Sequence, residues 1–310
     1  MREVVVDAAD AGLRLDRYLR KLLDDVPLGA IFKMLRTKRI TVDGAKAEPS
    51  LRLQGGMRIA LRVASKAVAE PEGTGDGESG EETPPSVPAR WQGPEPGVVH
   101  QDQHLLVVDK PTGMASQPGS GTRDDLTAWI RARLGMLFTP TFHPAPVHRI
   151  DRGTSGLVVI GTTPQGLRGG SELFRGKAVK KTYLAVVGGI APEKGAIDEP
   201  LMPIEDSRPD GPKVKVDPAG QPAHTRFTRV ATGAGNSLLR VSILTGRMHQ
   251  IRAHLAHLGH PIVGDRRYGN RLDRGGRLML HASELEFEHP VSGRRLHLRA
   301  PTPDTFQIRG

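Results

Sequence analysis

The stretch from residue 64 to about 97 constrains this chain more than any other, because it cannot belong to a packed core. It contains Glu70-Pro71-Glu72-Gly73-Thr74-Gly75-Asp76-Gly77-Glu78-Ser79-Gly80-Glu81-Glu82-Thr83-Pro84-Pro85, with almost nothing apolar to bury. Such a segment gains too little from burial to offset the lost chain entropy, so residues 64–94 read as a flexible acidic linker. The rest of the 310-residue chain divides into a small part, 1–63, and a larger part, 95–310, and two folded domains are expected. Charge follows the same division. Residues 1–63 hold 13 Lys/Arg and 8 Asp/Glu, the segment 64–97 holds 2 and 7, and residues 98–310 hold 29 and 19. Two basic parts joined by an acidic connector favour a polyanionic partner, most often nucleic acid.

Other classes are narrowed by composition. The chain has no cysteine, which excludes disulfides, thiolate zinc sites and cysteine nucleophiles. Met1-Arg2-Glu3-Val4-Val5-Val6-Asp7 lacks the apolar run of a signal peptide. No stretch reaches the ~18 apolar residues of a membrane helix. A cytoplasmic protein is the expectation, with a core of Leu, Val, Ile and Ala because aromatics are few.

In the N-terminal part Leu15, Tyr18, Leu19 and Leu22 recur at helical spacing, with Asp16, Arg17, Arg20 and Lys21 on the other faces. Pro27 stands past this helix, and a second follows from Leu28 with Ile31, Met34 and Leu35 inward. Lys33, Arg36, Lys38 and Arg39 crowd its end, where cations complement the helix dipole. Ile40 to Gly44 reads as a strand and tight turn, and Met57 to Val63 as a second strand. This arrangement resembles the S4 RNA-binding domain, on Arg14-Leu15-Asp16-Arg17-Tyr18-Leu19, Lys38-Arg39-Ile40-Thr41-Val42-Asp43-Gly44 and Gly55-Gly56-Met57-Arg58-Ile59. The resemblance implies an RNA-facing second helix and hairpin, with Lys38 and Arg39 as candidate contacts.

In the larger part Leu105 to Val108 is an apolar strand, and Asp109-Lys110-Pro111-Thr112-Gly113 reads as the turn after it. A helix is expected from Leu126 to Leu134. Thr163-Pro164 reads as an N-cap with proline at the first helical position, opening a helix to about Phe174 that Gly166, Gly169 and Gly170 weaken. Lys181 to Val187 is a strand, residues 188–224 an irregular excursion, and Arg226 to Val230 and Leu238 to Ile243 two more strands. Thr245 reads as the cap of a helix containing Arg247 to Leu255, stopped by Gly259 and Pro261. On that helix His249 and Arg252, three residues apart, share a face. Leu278 to Ala282 and Leu285 to Phe287 are two late strands.

Between them, His148-Arg149-Ile150-Asp151-Arg152 runs through Gly153-Thr154-Ser155-Gly156 into Leu157-Val158-Val159-Ile160. The Gly-bearing residues read as a turn and the apolar run as a buried strand. Asp151 then sits on a tight loop at the mouth of a strand. Spacing leaves two readings open: a carboxylate that caps the turn and pairs with an arginine, or a reactive group on a rigid scaffold.

His148 to Gly156 resembles the signature of the RluA-type pseudouridine synthases, and four further stretches resemble that family in order. They are Asp109-Lys110-Pro111-Thr112-Gly113, Lys181-Thr182-Tyr183-Leu184-Ala185, Leu244-Thr245-Gly246-Arg247-Met248-His249-Gln250-Ile251-Arg252-Ala253-His254, and Gly264 to Gly269 with Leu280-His281-Ala282. Departures are Ile150 where leucine is common, Gly153 for aspartate, Met248 for threonine, and Gln117 in a region that often has histidine. The resemblance implies an α+β fold: a mixed, largely antiparallel central sheet with flanking helices and loops, preceded by a small α/β S4 domain. It implies isomerisation of uridine to pseudouridine in RNA without cofactor or metal, the target base being flipped from its stack. Asp151 is implied as the catalytic carboxylate, Arg252 as its bidentate arginine, and Tyr183 as the residue packing on the uracil. Arg149 is implied to fill the space the base leaves, and Arg152 to contact RNA. Arg247, His249 and Gln250 lie near a helix N-terminus, a favourable place for phosphate. The S4-like front end points to large-subunit ribosomal RNA, with transfer RNA as the alternative, and a monomer is expected.

Three rival chemistries match parts of the sequence. A metal hydrolase could use His249, His254, His257 and His260, but only His254 and His257 clearly share a helical face. A glycoside hydrolase needs two carboxylates at the scissile bond, and the central stretch supplies one. A catalytically silent RNA-binding protein is disfavoured by the presence of Asp151, Tyr183 and Arg252.

Overall fold

The computed structural model describes residues 2–7, 10–23, 26–62, 91–117, 125–137, 142–204, 213–269 and 276–308. The linker expected at 64–94 lies outside the described residues as far as 90. The described chain divides into two compact units: residues up to 62 with 134–137 and 142–143, and residues 91–133 with 144–308.

The N-terminal unit contains β1 (Arg2–Val5), α1 (Leu15–Leu22), α2 (Leu28–Arg36), β2 (Ile40–Val42) and β3 (Arg58–Leu61). Its sheet runs β1-β3-β2, antiparallel throughout. Leu15, Tyr18 and Leu19 bury one stripe of α1 and Ile31 and Leu35 one stripe of α2, meeting Ile40, Ile59 and Leu61 of the sheet. β1 is an addition to the sequence reading; it occupies the second edge of β3, with Val4 opposite Ile59. Thr37 Oγ1 donates to the Lys33 carbonyl at the end of α2 (2.8 Å). Lys38 then takes a left-handed φ of 56°, and Lys38 and Arg39 emerge exposed ahead of β2.

The larger unit continues with β4 (Gly97–Gln101), β5 (Leu105–Lys110), α3 (Leu126–Arg133), β6 (Ala145–Pro146), β7 (Ser155–Gly161), α4 (Pro164–Arg175) and β8 (Lys180–Gly188). β9 (Lys194–Ile197), β10 (Leu201–Ile204), β11 (Lys213–Val216), β12 (Thr225–Gly233), β13 (Asn236–Ile243), α5 (Gln250–His257), β14 (Leu280–Glu288) and β15 (Arg295–Arg299) follow. The main sheet runs β4-β5-β7-β14-β8-β13-β12-β9, with β6 beside β7 and β15 beside β14. This is the mixed, mostly antiparallel α+β sheet that the sequence implied. The one parallel strand pair among the described residues is β7 with β14, joined at Ser155–His281 and Gly156–Ala282.

β5 and β7 are apolar runs because both faces are covered; all seven residues of β7 are buried. The helix over β7 is α4, opened as expected by Thr163, whose hydroxyl accepts from Gly166 N–H (3.1 Å), with Pro164 after it. Its glycines permit close packing: a Cβ on Gly166 would lie 2.1 Å from the His104 carbonyl oxygen. Gly156 serves the parallel pair similarly. Its φ is +113° and a Cβ there would lie 2.3 Å from Ala282 O, so β7 and β14 approach only because the side chain is missing.

Several sequence assignments are corrected. Asp109 and Lys110 extend β5 instead of forming the turn, since β7 pairs with them through Leu157 and Gly156. The excursion 188–224 carries β9, β10 and β11, with 205–212 outside the described residues; β9 adds to β12 and the other two form a separate ribbon. The two late strands are one, β14, whose register shifts between Ala282 and Glu284. The other edge of β14 meets β7 first, at His281 and Ala282, and β15 afterwards, from Glu284 to Glu288. β4 and β15 are additions. The helix expected from Thr245 begins only at Gln250.

Candidate active site

Asp151 stands on the loop leading into β7, and the loop is held from beneath by the end of β5. Thr112 Oγ1 donates to the Gly153 carbonyl (2.7 Å), Gly113 N–H donates to the Arg152 carbonyl (2.9 Å), and Arg152 Nε returns a bond to Gly113 O (2.9 Å). Ser116 Oγ donates to Ile150 O (2.8 Å). The Lys110 ammonium is fully buried and reaches the carbonyls of Met114 (2.7 Å), Pro111 (3.1 Å) and Arg152 (3.4 Å). Burial pushes its pKa down to about 7, with Asp151 and Asp109 opposing the shift. Lys110 thus ties the turn after β5 to the loop that carries Asp151. On the other side of the loop His148 stacks on Phe174 (ring centroids 4.0 Å apart) and its Nε2 accepts from Val159 N–H (3.1 Å). Burial lowers its pKa to about 3, so it is a neutral anchor.

Tyr183 comes from β8, opposite Ala282 of β14 and Val241 of β13. Its ring is buried in the wall of the pocket that Asp151 enters. Burial, then the nearby Asp151 charge, raise its pKa, so the phenol stays protonated.

Arg252, on the first turn of α5, faces two carboxylates. Nη1 donates to Asp151 Oδ2 (3.1 Å), while Nε and Nη2 grip Asp265 Oδ2 and Oδ1 (2.8 and 2.9 Å). The expected bidentate partner of Arg252 was Asp151; the fork belongs instead to Asp265. Asp265 has a fully buried side chain and also accepts from the N–H groups of Arg267 (2.9 Å) and Tyr268 (3.1 Å). Burial would raise its pKa, but Arg252 and these N–H groups hold it below the usual carboxylate range. Burial also works against the charge of Arg252, and the two carboxylates outweigh it and raise its pKa. Asp265 neutralises and aims the guanidinium, leaving Asp151 with one charge-assisted bond and its side chain 24% exposed to the pocket.

His249 precedes α5 with a left-handed φ of 51°, which brings its Nε2 to 3.8 Å from Asp151 Oδ2. Its Nδ1 lies 3.2 Å from the Tyr268 hydroxyl. Burial lowers its pKa against the pull of Asp151, so the imidazole is neutral at pH 7. Gln250 departs from its expected role. Its carbonyl accepts from Thr245 Oγ1 (2.8 Å) and Arg247 N–H (3.1 Å), and its amide donates to His224 O and Thr225 Oγ1 (both 3.0 Å). With its amide spent inside the protein, Gln250 shapes the 244–249 loop, and Thr245 is part of that network rather than a helix cap. Arg149 and Arg247 are exposed on the pocket rim, Arg247 with Nε on the Pro222 carbonyl (3.1 Å). Arg152 is exposed and tied to Gly113 as above. Lys38 and Arg39 lie in the N-terminal unit.

The four histidines of the metal reading do not converge. Both ring nitrogens of His254 are engaged, by Thr225 Oγ1 and Glu199 O (each 2.9 Å), and His260 Nδ1 meets Gly188 O (2.9 Å). Sequence reasoning missed Asp265, Tyr268, Lys110 and Ser116 as site residues. Only the stretches around Asp109 and Gly264, noted without a role, pointed toward them.

A family model described as RNA pseudouridylate synthase matches residues 104–257. Ribosomal large subunit pseudouridine synthase C of Vibrio cholerae is 33% identical over 305 residues, covering 96% of this chain and 91% of that protein. The protein of that name from Escherichia coli K12 is 33% identical over 309 residues, covering 96% and 92%. Among solved structures, human RNA Pseudouridylate Synthase Domain Containing 1 matches with a TM-score of 0.56 and 26% identity, over 71% of this chain and 86% of that one. Fold and relatives define an RNA-modifying isomerase. The chain belongs to the RNA pseudouridylate synthase family.

Proposed function

We propose that this chain converts uridine to pseudouridine in large-subunit ribosomal RNA, with Asp151 as the catalytic carboxylate. The observation that carries this reading is the shared guanidinium: Arg252 is fixed by Asp265 and gives Asp151 a single bond in the pocket that Tyr183 walls. A carboxylate so placed is oriented without being quenched, as attack on C1′ or removal of a ribose proton requires. The N1–C1′ bond breaks, the base turns, C5 joins C1′, the C5 proton leaves and N1 takes up a proton, so product and substrate are isomers. Extruding the base costs a few kcal/mol of stacking. Tyr183 then packs against the uracil with its neutral phenol, and Arg149 on the rim takes the space the base leaves. Arg152, Arg247 and His249 contact the RNA around it.

The named relatives are large-subunit enzymes, which supports that substrate and work in the cytoplasm. The exposed Lys38 and Arg39 after α2 support RNA binding by an S4-like N-terminal unit. Action as a monomer belongs to the same reading, and size-exclusion chromatography with light scattering tests it. Pseudouridine mapping of ribosomal and transfer RNA from cells with and without the gene tests the substrate. Sites lost from large-subunit RNA are expected; loss confined to transfer RNA overturns the ribosomal assignment.

A further inference from the structure

Lys181 is a cation near the pocket that the reaction described above leaves unused. It lies on β8 two residues before Tyr183 and opposite Ile243 of β13. Alternation along the strand and pairing across it place Lys181, Tyr183 and Ile243 on one face of the sheet, and Tyr183 and Ile243 line the pocket. Its Nζ lies 4.0 Å from where a Cβ on Gly246, another pocket residue, would stand. The other cations here are held or solvated. Arg252 has two carboxylates, Arg152 and Arg247 have backbone carbonyls, and Arg149 is exposed. Lys181 is half-buried and has no hydrogen bond or ion pair among the described residues. Burial, then the charge of Lys177, lower its pKa. A partly desolvated cation without a counter-ion is costly, and an arriving anion offsets that cost.

We infer that Lys181 binds a phosphodiester group of the RNA beside the nucleotide that enters the pocket. The inference rests on the reading of this pocket as a uridine site. RNA brings one such anion per nucleotide, whereas the oxygens of uracil and ribose are neutral and leave the charge uncompensated.

The test is Lys181→Gln and Lys181→Arg against the wild type, with RNA tritiated at uridine C5 for kcat and KM and a salt series for affinity. Wild-type tritium release is measured first; its absence overturns the uridine reading itself. Given turnover, Lys181→Gln is expected to raise KM by about tenfold, with the loss falling on KM more than on kcat. The slope of log affinity against log salt should shrink by about 0.7, the amount for one phosphate contact on a single strand, and Lys181→Arg should restore it. A raised KM with an unchanged slope overturns the phosphate assignment in favour of a base or ribose contact, and no change in either overturns Lys181 as a contact. Circular dichroism checks the fold. If Lys181→Gln is unfolded, RNA with neutral methylphosphonate linkages flanking the target uridine is given to the wild type and Lys181→Arg. An affinity loss of about tenfold at one linkage is expected for both, and no loss at either linkage overturns the inference.

Discussion

Asp265→Asn removes a charge that never touches the reacting atoms in this account, and so tests whether Arg252 must be aimed from behind. Oδ1 of Asp265 accepts from Arg252 Nη2 and from two backbone N–H groups, while Oδ2 accepts from Arg252 Nε at 2.8 Å. Asparagine can keep the first set, but its amide sets a donor against the Nε donor. One charge-assisted bond is lost and a buried cation loses its main counter-charge. Breaking a buried pair costs roughly 3–5 kcal/mol, and the retained Oδ1 bonds put the loss near the lower end, about 3 kcal/mol. For a unit of this size that corresponds to a fall in Tm of roughly 6–12 °C. The freed guanidinium then swings onto Asp151 and quenches it, and a loss of about 100-fold in kcat is expected. Thermal melting and tritium release from C5-labelled RNA, assayed well below the lowered Tm, read the two effects separately. An unchanged Tm refutes the structural role. A lowered Tm with wild-type kcat refutes the claim that Asp265 keeps Arg252 from over-pairing with Asp151.

Two further predictions concern the supports of the Asp151 loop. Lys110 keeps its proton only to about pH 7 when folded, against 10.5 as the ordinary value, so between those limits the unfolded chain binds more protons and stability from this group rises with pH. The stability of Lys110→Met relative to wild type should therefore be greatest at or below pH 7 and decline toward pH 10, while tritium release falls because the loop loses its tie; melts at pH 7 and 9.5 giving a constant difference would contradict this. Gly156→Ala places a methyl group 2.3 Å from Ala282 O at a φ of +113°, and a loss of about 3 kcal/mol or more is expected in denaturant unfolding. A near-neutral result would mean that β7 and β14 are not so closely joined.

The sequence carried the main outline because its signals were local. Leu157 to Ile160 announces a strand covered on both faces, Thr163-Pro164 announces α4, and Asp151, Tyr183 and Arg252 each sit in a contiguous motif that the fold brings to one pocket. What it hid depended on distant partners. Lys110 before a proline reads as a solvated turn lysine, since lysine is rarely buried; it is covered only because the Asp151 loop folds over the end of β5. The fork between Arg252 and Asp265 spans thirteen residues and a turn, beyond any helical spacing rule. His249 gave no sign of its left-handed backbone, which a non-glycine residue adopts only when its surroundings impose it. Gln250 looked like a ligand residue because helix N-termini favour phosphate, yet Thr245 and Arg247 occupy its carbonyl while His224 and Thr225 take its amide N–H groups. β9 to β11, four residues each, were too short to stand out in a Pro- and Lys-rich stretch.

The proposed role of Asp151, to perform the isomerisation in the pocket framed by Tyr183 and Arg252, is open to a direct test. The most direct measurement compares tritium release from C5-labelled large-subunit RNA by the wild type and by Asp151→Ala, with circular dichroism on both. Steady release by the wild type and none by a normally folded Asp151→Ala are expected. Release at the wild-type rate by that variant would contradict the proposed role.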